Sequence, residues 1–265
     1  SSNHFLALSY DGSVYSWGCC ENGQLGLGES VRGDITKPTL IQSFKSKSIT
    51  RICAGEGFSV FLIKNGLVLT CGDGATACLG RSDRSSCFEP KFVDSLLSVD
   101  VTNISCGPKH VSVVTGDSKA YSWGCNVDGR LGVGEESSCC DVPTQVKFPS
   151  DVKIENVFCG PDATAFIDSK GNVWVCGRND HNKLGLNHKQ QFQMNKILYT
   201  AIPIKLSWIK HRVQSVILGK NHSAFLVENR KIITIGNNCD GQLGIGHAKN
   251  YVGHHYIKHL NESKI

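Results

Sequence analysis

A strand-like run ending in a Trp-Gly step, then a Leu-Gly step seven residues on, recurs five times along this chain. The first copy reads Val14-Tyr15-Ser16-Trp17-Gly18 and closes at Leu25-Gly26. The first step supplies Gly18, Gly72, Gly124, Gly177 and Gly236; the second supplies Leu25, Leu79, Leu131, Leu184 and Leu243. Both columns advance by the same 54, 52, 53 and 59 residues. Locked columns at a period near 53 define a repeat protein, in which each repeat buries its apolar face against its neighbours.

Each repeat divides into four short strands. A β-prone run ends at glycine, as in Ile49 to Gly55, with counterparts at Val101 to Gly107, Ile154 to Gly160 and Val213 to Gly219. An apolar strand such as Phe58-Ser59-Val60-Phe61-Leu62-Ile63 follows. Turns come next, in register: Asp11-Gly12, Asn65-Gly66, Asp117-Ser118, Lys170-Gly171 and Asn229-Arg230. The first two dipeptides predict type I′ hairpins. The third strand leads into Trp-Gly, and a polar loop leads to Pro38, Pro90, Pro143 or Pro203. Proline before a β-prone stretch predicts a fourth strand at a sheet edge. Four antiparallel strands per repeat predict an all-β fold, a β-propeller of four-stranded blades. The expected domain is a single propeller over 1–265, with repeats 1–48, 49–100, 101–153, 154–212 and 213–265. The first repeat lacks its opening strand.

The thirteen cysteines do not read as a disulfide or metal framework. No Cys-x-x-Cys pair occurs, and an odd count cannot pair fully. Cys71 and Cys176 stand where Trp17 and Trp123 stand in other repeats, so they read as small buried hydrophobes. Reduced structural thiols predict a cytoplasmic location, with the nucleus as an alternative. No apolar run is long enough to span a membrane as a helix. Charge is uneven: residues 1–169 hold 14 Lys and Arg against 19 Asp and Glu, and residues 170–265 hold 14 against 4. That split marks either a binding face or only differences in blade surface charge.

The assembled pattern of Gly-x-x-His, apolar strand, Asp-Gly, Trp-Gly and Asn-x-x-Gly-Gln-Leu-Gly resembles the regulator of chromosome condensation repeat. Asn22-Gly23-Gln24-Leu25-Gly26 and Asp240-Gly241-Gln242-Leu243-Gly244 carry it best. The resemblance implies a seven-bladed ring of which these five repeats form an arc. The run Gly177-Arg178-Asn179-Asp180-His181-Asn182-Lys183-Leu184-Gly185 and its enlarged loop precede Lys205 to Lys210 and Gly219-Lys220-Asn221-His222. This order resembles the propeller region of the NIMA-related protein kinases. It implies a regulatory, protein-binding propeller, with a kinase domain before Ser1 and further blades after Ile265. The kinase domain of the parent chain is then one expected partner, and the centrosome a further expected location. The founding activity of the repeat family implies a second function, guanine-nucleotide exchange on a Ran-type small GTPase. A chromatin-binding role for the basic half is a third, although sparse arginine makes nucleic acid a poor partner.

No catalytic constellation is legible, so the chain reads as a non-enzyme with no cofactor. The Gly-rich loop, strand Lys, His-Arg-Asp and Asp-Phe-Gly motifs of kinases are missing. Gly26-Leu27-Gly28 lacks a third glycine and sits in a repeat loop. The column histidines His4, His110 and His222 give way to Phe58 and Ala163 in other repeats, which predicts bridging of backbone groups rather than catalysis. The tail holds His247, His254, His255 and His259; a helical His255/His259 pair could share a metal, but no third ligand is evident.

One insertion stands out. Gly185 to Pro203 spans 18 positions, against 12, 10 and 11 in the earlier repeats. Insertions in repeat proteins map to loops that often form the binding face. Phe192, Met194, Ile197, Leu198 and Tyr199 place large apolar side chains there, rimmed by Lys189, Gln190, Gln191 and Lys196. The candidate partner-binding residues are therefore Lys189, Phe192, Met194, Lys196 and Tyr199. The alternative is that this loop folds back as a plug on its own blade.

Overall fold

The structure, a computed structural model, describes residues 3–134, 137–186, 198–249 and 253–257. Its regular elements are strands and short 3-10 turns, gathered into five antiparallel sheets. The first sheet has three strands: β1 (His4–Leu8), β2 (Val14–Gly18) and β3 (Ile35–Leu40). Each of the others is a meander of four consecutive strands. The second comprises β4 (Ile49–Ala54), β5 (Phe58–Ile63), β6 (Val68–Gly72) and β7 (Cys87–Phe92). The third comprises β8 (Val101–Cys106), β9 (His110–Thr115), β10 (Ala120–Cys125) and β11 (Cys139–Gln145). The fourth comprises β12 (Ile154–Cys159), β13 (Ala163–Asp168), β14 (Val173–Arg178) and β15 (Tyr199–Lys205). The fifth comprises β16 (Val213–Leu218), β17 (His222–Val227), β18 (Lys231–Gly236) and β19 (His254–Tyr256).

Two compact units emerge from the packing. One is built from the first three sheets, the other from the last two together with the loop that begins at Val127. In the first unit, Val14, Ile41, Phe61 and Leu69 form one core between adjacent sheets, and Phe58, Val60, Val111 and Trp123 belong to another. In the second, Ala165, Val175, Leu184, Val216 and Phe225 fill the equivalent space. These blade-on-blade cores explain why the second strands β5, β9 and β13 are buried on both faces almost throughout.

The glycine of the Trp-Gly column lies at the end of its strand or one residue before it, at φ between 99° and 120° in all five repeats. A Cβ at Gly72 would stand 2.6 Å from Phe58 Cα, and one at Gly124 would stand 2.9 Å from His110 Cα. Backbone therefore approaches backbone there, which only glycine allows. The column leucines are all buried. Their carbonyls accept hydroxyl bonds from the third strand: Ser16 to Leu25 at 2.8 Å, Thr70 to Leu79 at 2.8 Å and Thr234 to Leu243 at 2.9 Å.

The Trp position does more than fill space. Trp123 Nε1 donates to the Cys78 carbonyl at 2.9 Å, in the preceding repeat. Cys71 Sγ reaches Gln24 O at 3.7 Å, and Cys176 Sγ reaches Arg130 O at 3.4 Å. Cysteine and tryptophan share the column because each offers one donor toward the same kind of carbonyl.

Two expectations are corrected by the backbone. Asp11-Gly12 and Asn65-Gly66 do not form type I′ turns: only Gly12 and Gly66 have positive φ, and Gly12 N donates to Ser9 O while Ser9 N donates to Ser13 O. This is a type I turn closed by a left-handed glycine. The two-residue positive-φ turn occurs at Asn229-Arg230 instead, with φ of 60° and 57°. The prolines do not open the fourth strands; they lie inside them, in bulges. Ser16 pairs with Thr39 and Gly18 with Ile35, so residues 36–38 oppose Trp17 alone. The same offset recurs at Pro90, Pro143 and Pro203. A bulge on an edge strand leaves a position where no N–H is needed.

Candidate partner-binding surface

Of the five candidate partner residues, Lys189, Phe192, Met194 and Lys196 lie outside the described residues. Tyr199 opens β15 and is 57% exposed. Leu198 beside it is 63% exposed and Ile202 is 51% exposed. Other repeats place Gly33-Asp34, Ser85-Ser86 and Ser138-Cys139 where the fourth has Leu198-Tyr199. The residue before the strand proline is Lys37 in the first repeat, Glu89 in the second, exposed Val142 in the third and Ile202 here. At the Leu198-Tyr199 positions large apolar side chains thus replace small or polar ones on this sheet edge.

The edge is held from behind. Gly134 N donates to Ala201 O at 2.9 Å, and a Cβ on Gly129 would come within 2.3 Å of Ala201 Cα. Asn179 N donates to Leu198 O at 2.7 Å. Arg178 pairs across the sheet with Tyr199 and bonds Asp180 at 2.6 Å and Asp128 at 3.3 Å. Those carboxylates raise the Arg178 guanidinium further, Asp180 contributing most through its hydrogen bond. Val127, 48% exposed, belongs to the loop that packs beneath. Ile202 and Val127 were not among the sequence candidates; comparing the residue before each proline singles out Ile202 together with Val142.

Elsewhere His4 and Asp168 are occupied by the fold. His4 Nε2 lies 2.9 Å from Ser59 Oγ, which donates to Gln24 O. The expected backbone bridge thus runs through a hydroxyl of the next repeat. Burial pushes the His4 imidazole down to about 4. A groove of ≈ 410 Å³ contains Glu155, Asp168, Arg212 and Glu228. Within it Asp168 accepts from Lys170 N, Asn172 N and Trp174 Nε1, all near 2.9–3.0 Å. Burial opposes that carboxylate's charge, but these donors hold it below its ordinary value. Its oxygens serve a turn, not a reaction.

The helical His255/His259 pairing is overturned as far as the chain is described. His254 and His255 lie in β19, so they point to opposite faces, and His259 lies outside the described residues. His254 stacks on Trp208 at 4.7 Å. Among the described residues no cluster of His, Cys, Asp and Glu could hold a metal, and no helix is long and apolar enough to cross a membrane. All thirteen cysteines are free thiols.

Five blade-type antiparallel sheets define a propeller repeat protein. The RCC1-like domain profile matches residues 1–265, and the chain belongs to that family. The serine/threonine-protein kinase Nek9 of Xenopus laevis is 31% identical over 263 residues, covering 94% of this chain and 28% of that protein. Nek9 of Mus musculus is also 31% identical, covering 95% and 27%. The ninth NIMA-related kinase is the member whose loop order the sequence resembles. The chain spans little more than a quarter of the length of these relatives. Among solved structures, Prp20p of Saccharomyces cerevisiae superposes with TM-score 0.80 at 25% identity, covering 97% of this chain and 61% of that one. Human WBSCR16 gives TM-score 0.81 at 22% identity, covering 96% and 65%. The fold is therefore the RCC1-type propeller blade array.

Proposed function

We propose that this propeller region is a regulatory module that binds the kinase domain of a NIMA-related serine/threonine kinase, in the cytoplasm, nucleus or centrosome. The observation that carries it is the exposed Leu198, Tyr199 and Ile202 edge on the fourth sheet, in a chain that aligns with Nek9 along almost its whole length. The module contributes binding and orientation; chemistry belongs to its partner. Exposed aromatic and aliphatic anchors on a rigid strand lose little side-chain freedom on docking, which suits them to an interface core. The test is affinity for a purified NIMA-related kinase domain. Replacing Leu198 and Tyr199 together by Ser is expected to weaken binding about tenfold or more with the melting temperature nearly unchanged. Unchanged affinity ends the reading. A drop of several degrees in melting temperature shows instead that the pair caps its own blade.

A second reading is guanine-nucleotide exchange on a Ran-type GTPase. The likeness to Prp20p favours it, a protein characterised for its binding properties to Gsp1p and histones. Faster release of labelled nucleotide from a Ran-type GTPase in the presence of this chain supports exchange; an unchanged rate removes it. A chromatin role through the basic half would show as histone or DNA binding that falls steeply with salt.

A further inference from the structure

The outer edge of the third sheet sets one cysteine directly opposite another. Cys125, the last residue of β10, is the register partner of Cys139, the first residue of β11. The irregularity in this ladder lies between Ser122 and Gly124, so the pairs Gly124 with Cys140 and Cys125 with Cys139 follow regularly. Cys125 N donates to Lys109 O at 2.8 Å, away from β11, and Asn126 N donates to Ser138 O at 2.8 Å. Cys125 and Cys139 are therefore a non-hydrogen-bonded pair, whose side chains share one face and stand closer than those of the alternate pairs. The Cα atoms of such a pair lie about 4.5 Å apart, inside the range of roughly 4.4–6.8 Å that a disulfide bridges.

Both residues are half-buried, whereas Cys71 and Cys176 are sealed in the core. Arg84, from the second repeat, reaches over this edge. Its Nη2 donates to Cys139 Sγ at 2.8 Å, and its Nε donates to Asp141 at 2.8 Å. Asp141 thus anchors a guanidinium against one of the two sulfurs, where it stabilises negative charge as that charge forms. The repeat does not supply this pairing. The column of Cys139 carries Asp34, Ser86 and Tyr199 in the first, second and fourth repeats, and the column of Cys125 carries Cys19, Asp73 and Arg178. Of these four repeats, the third alone has cysteine at both places.

We propose that Cys125 and Cys139 are an oxidative modification site, a dithiol that a hydroperoxide closes into a cross-strand disulfide on the outer edge of the third sheet. The Cys139 sulfur, as thiolate against Arg84, attacks one oxygen of hydrogen peroxide and the O–O bond breaks. The departing hydroxide takes the proton lost by Cys139, leaving one water and a sulfenic acid on Cys139. The Cys125 thiolate then attacks the Cys139 sulfur. The S–O bond breaks, and the departing hydroxide takes the proton lost by Cys125 to leave a second water. The two thiols together lose two electrons and two protons, and the peroxide is reduced to two waters. A thiol reductant reverses the step by exchange.

The test treats the full chain with a few equivalents of hydrogen peroxide, alkylates the remaining thiols in denaturant and maps tryptic peptides. The peptide 120–130 holds Cys125 alone, and the peptide 131–147 holds Cys139 and Cys140. The expected result is a disulfide between these two peptides, lost on adding dithiothreitol, with fragment masses that place the bond on Cys139 and the alkyl label on Cys140. Cys19 is the internal control, because it holds the column of Cys125 but has Asp34 in the opposite column; it is expected to stay largely alkylated. In Cys125→Ser the cross-link disappears and dimedone traps Cys139 as its sulfenic acid. Oxidation that leaves Cys125 and Cys139 alkylated, that joins Cys139 to Cys140, or that falls first on Cys19 or exposed Cys239 overturns the proposal. The wild-type map alone decides it, whether or not the variant folds well.

Discussion

His4 shows how a single residue turns from an apparent chemical group into a structural one. Its column position invites a role as a base, but its imidazole is buried and engaged with Ser59. Held neutral by burial, with its value pushed down to about 4, it makes stability depend on pH. The unfolded chain binds a proton at an ordinary value near 6.5 before the folded chain does. The contribution is therefore fully present above about pH 6.5 and is lost as pH falls toward 4. Urea unfolding is expected to show wild type losing about 3 kcal/mol more than His4→Phe between pH 7 and pH 4. Equal losses would show that His4 is not the proton site. Phe is a fair probe, since Phe58 fills the same column in the second repeat. The sequence showed that this position accepts His, Phe or Ala and so favoured a structural bridge over a catalytic base. It could not show Ser59, because that partner lies 55 residues away. The same distance hid the donor role of Cys71 and Trp123, whose acceptors lie 47 and 45 residues back.

At the scale of elements, strand positions were legible and turn geometry was not. The predicted runs at Phe58 to Ile63 and Val101 to Gly107 match β5 and β8, because apolar periodicity is a local signal. The dipeptides Asp11-Gly12 and Asn65-Gly66 were misread because the chain takes one more residue through each turn. Asp11 shows why: its carboxylate accepts from Ser13 N at 2.9 Å and from Ser9 Oγ, favouring a longer loop. The last hairpin carries the strained version, with Arg230 at φ 57°. Arg230→Gly is expected to stabilise the chain by about 0.5–1 kcal/mol, since glycine adopts this region without a Cβ clash. A loss of stability in thermal or urea unfolding would mean that the Arg230 side chain holds the turn. The proline bulges were half legible: proline announced an edge strand, but its place in the strand depends on the offset between paired strands.

For the whole molecule, the repeated glycine column makes a repeated prediction. Gly72, Gly124 and Gly177 meet the second strand of their own sheets in the same way. Alanine at each is therefore expected to cost about 3 kcal/mol, from left-handed strain and backbone contact together. Urea unfolding of the three variants should give closely similar losses, because stability in a repeat array is built from equivalent local terms. One variant close to wild type would break the equivalence. The sequence by itself determined the repeat, its period, the blade strands and the RCC1-like class, since these rest on columns that each repeat rewrites. Only the tertiary structure decided which side chains meet or stay uncovered. It exposes Leu198, Tyr199 and Ile202 on one edge, seals Cys71 and Cys176, and sets Trp123 on the Cys78 carbonyl. The reason is physical. A column records what every blade needs, whereas exposure and contact between blades depend on how one sheet lies against the next, which no single repeat encodes.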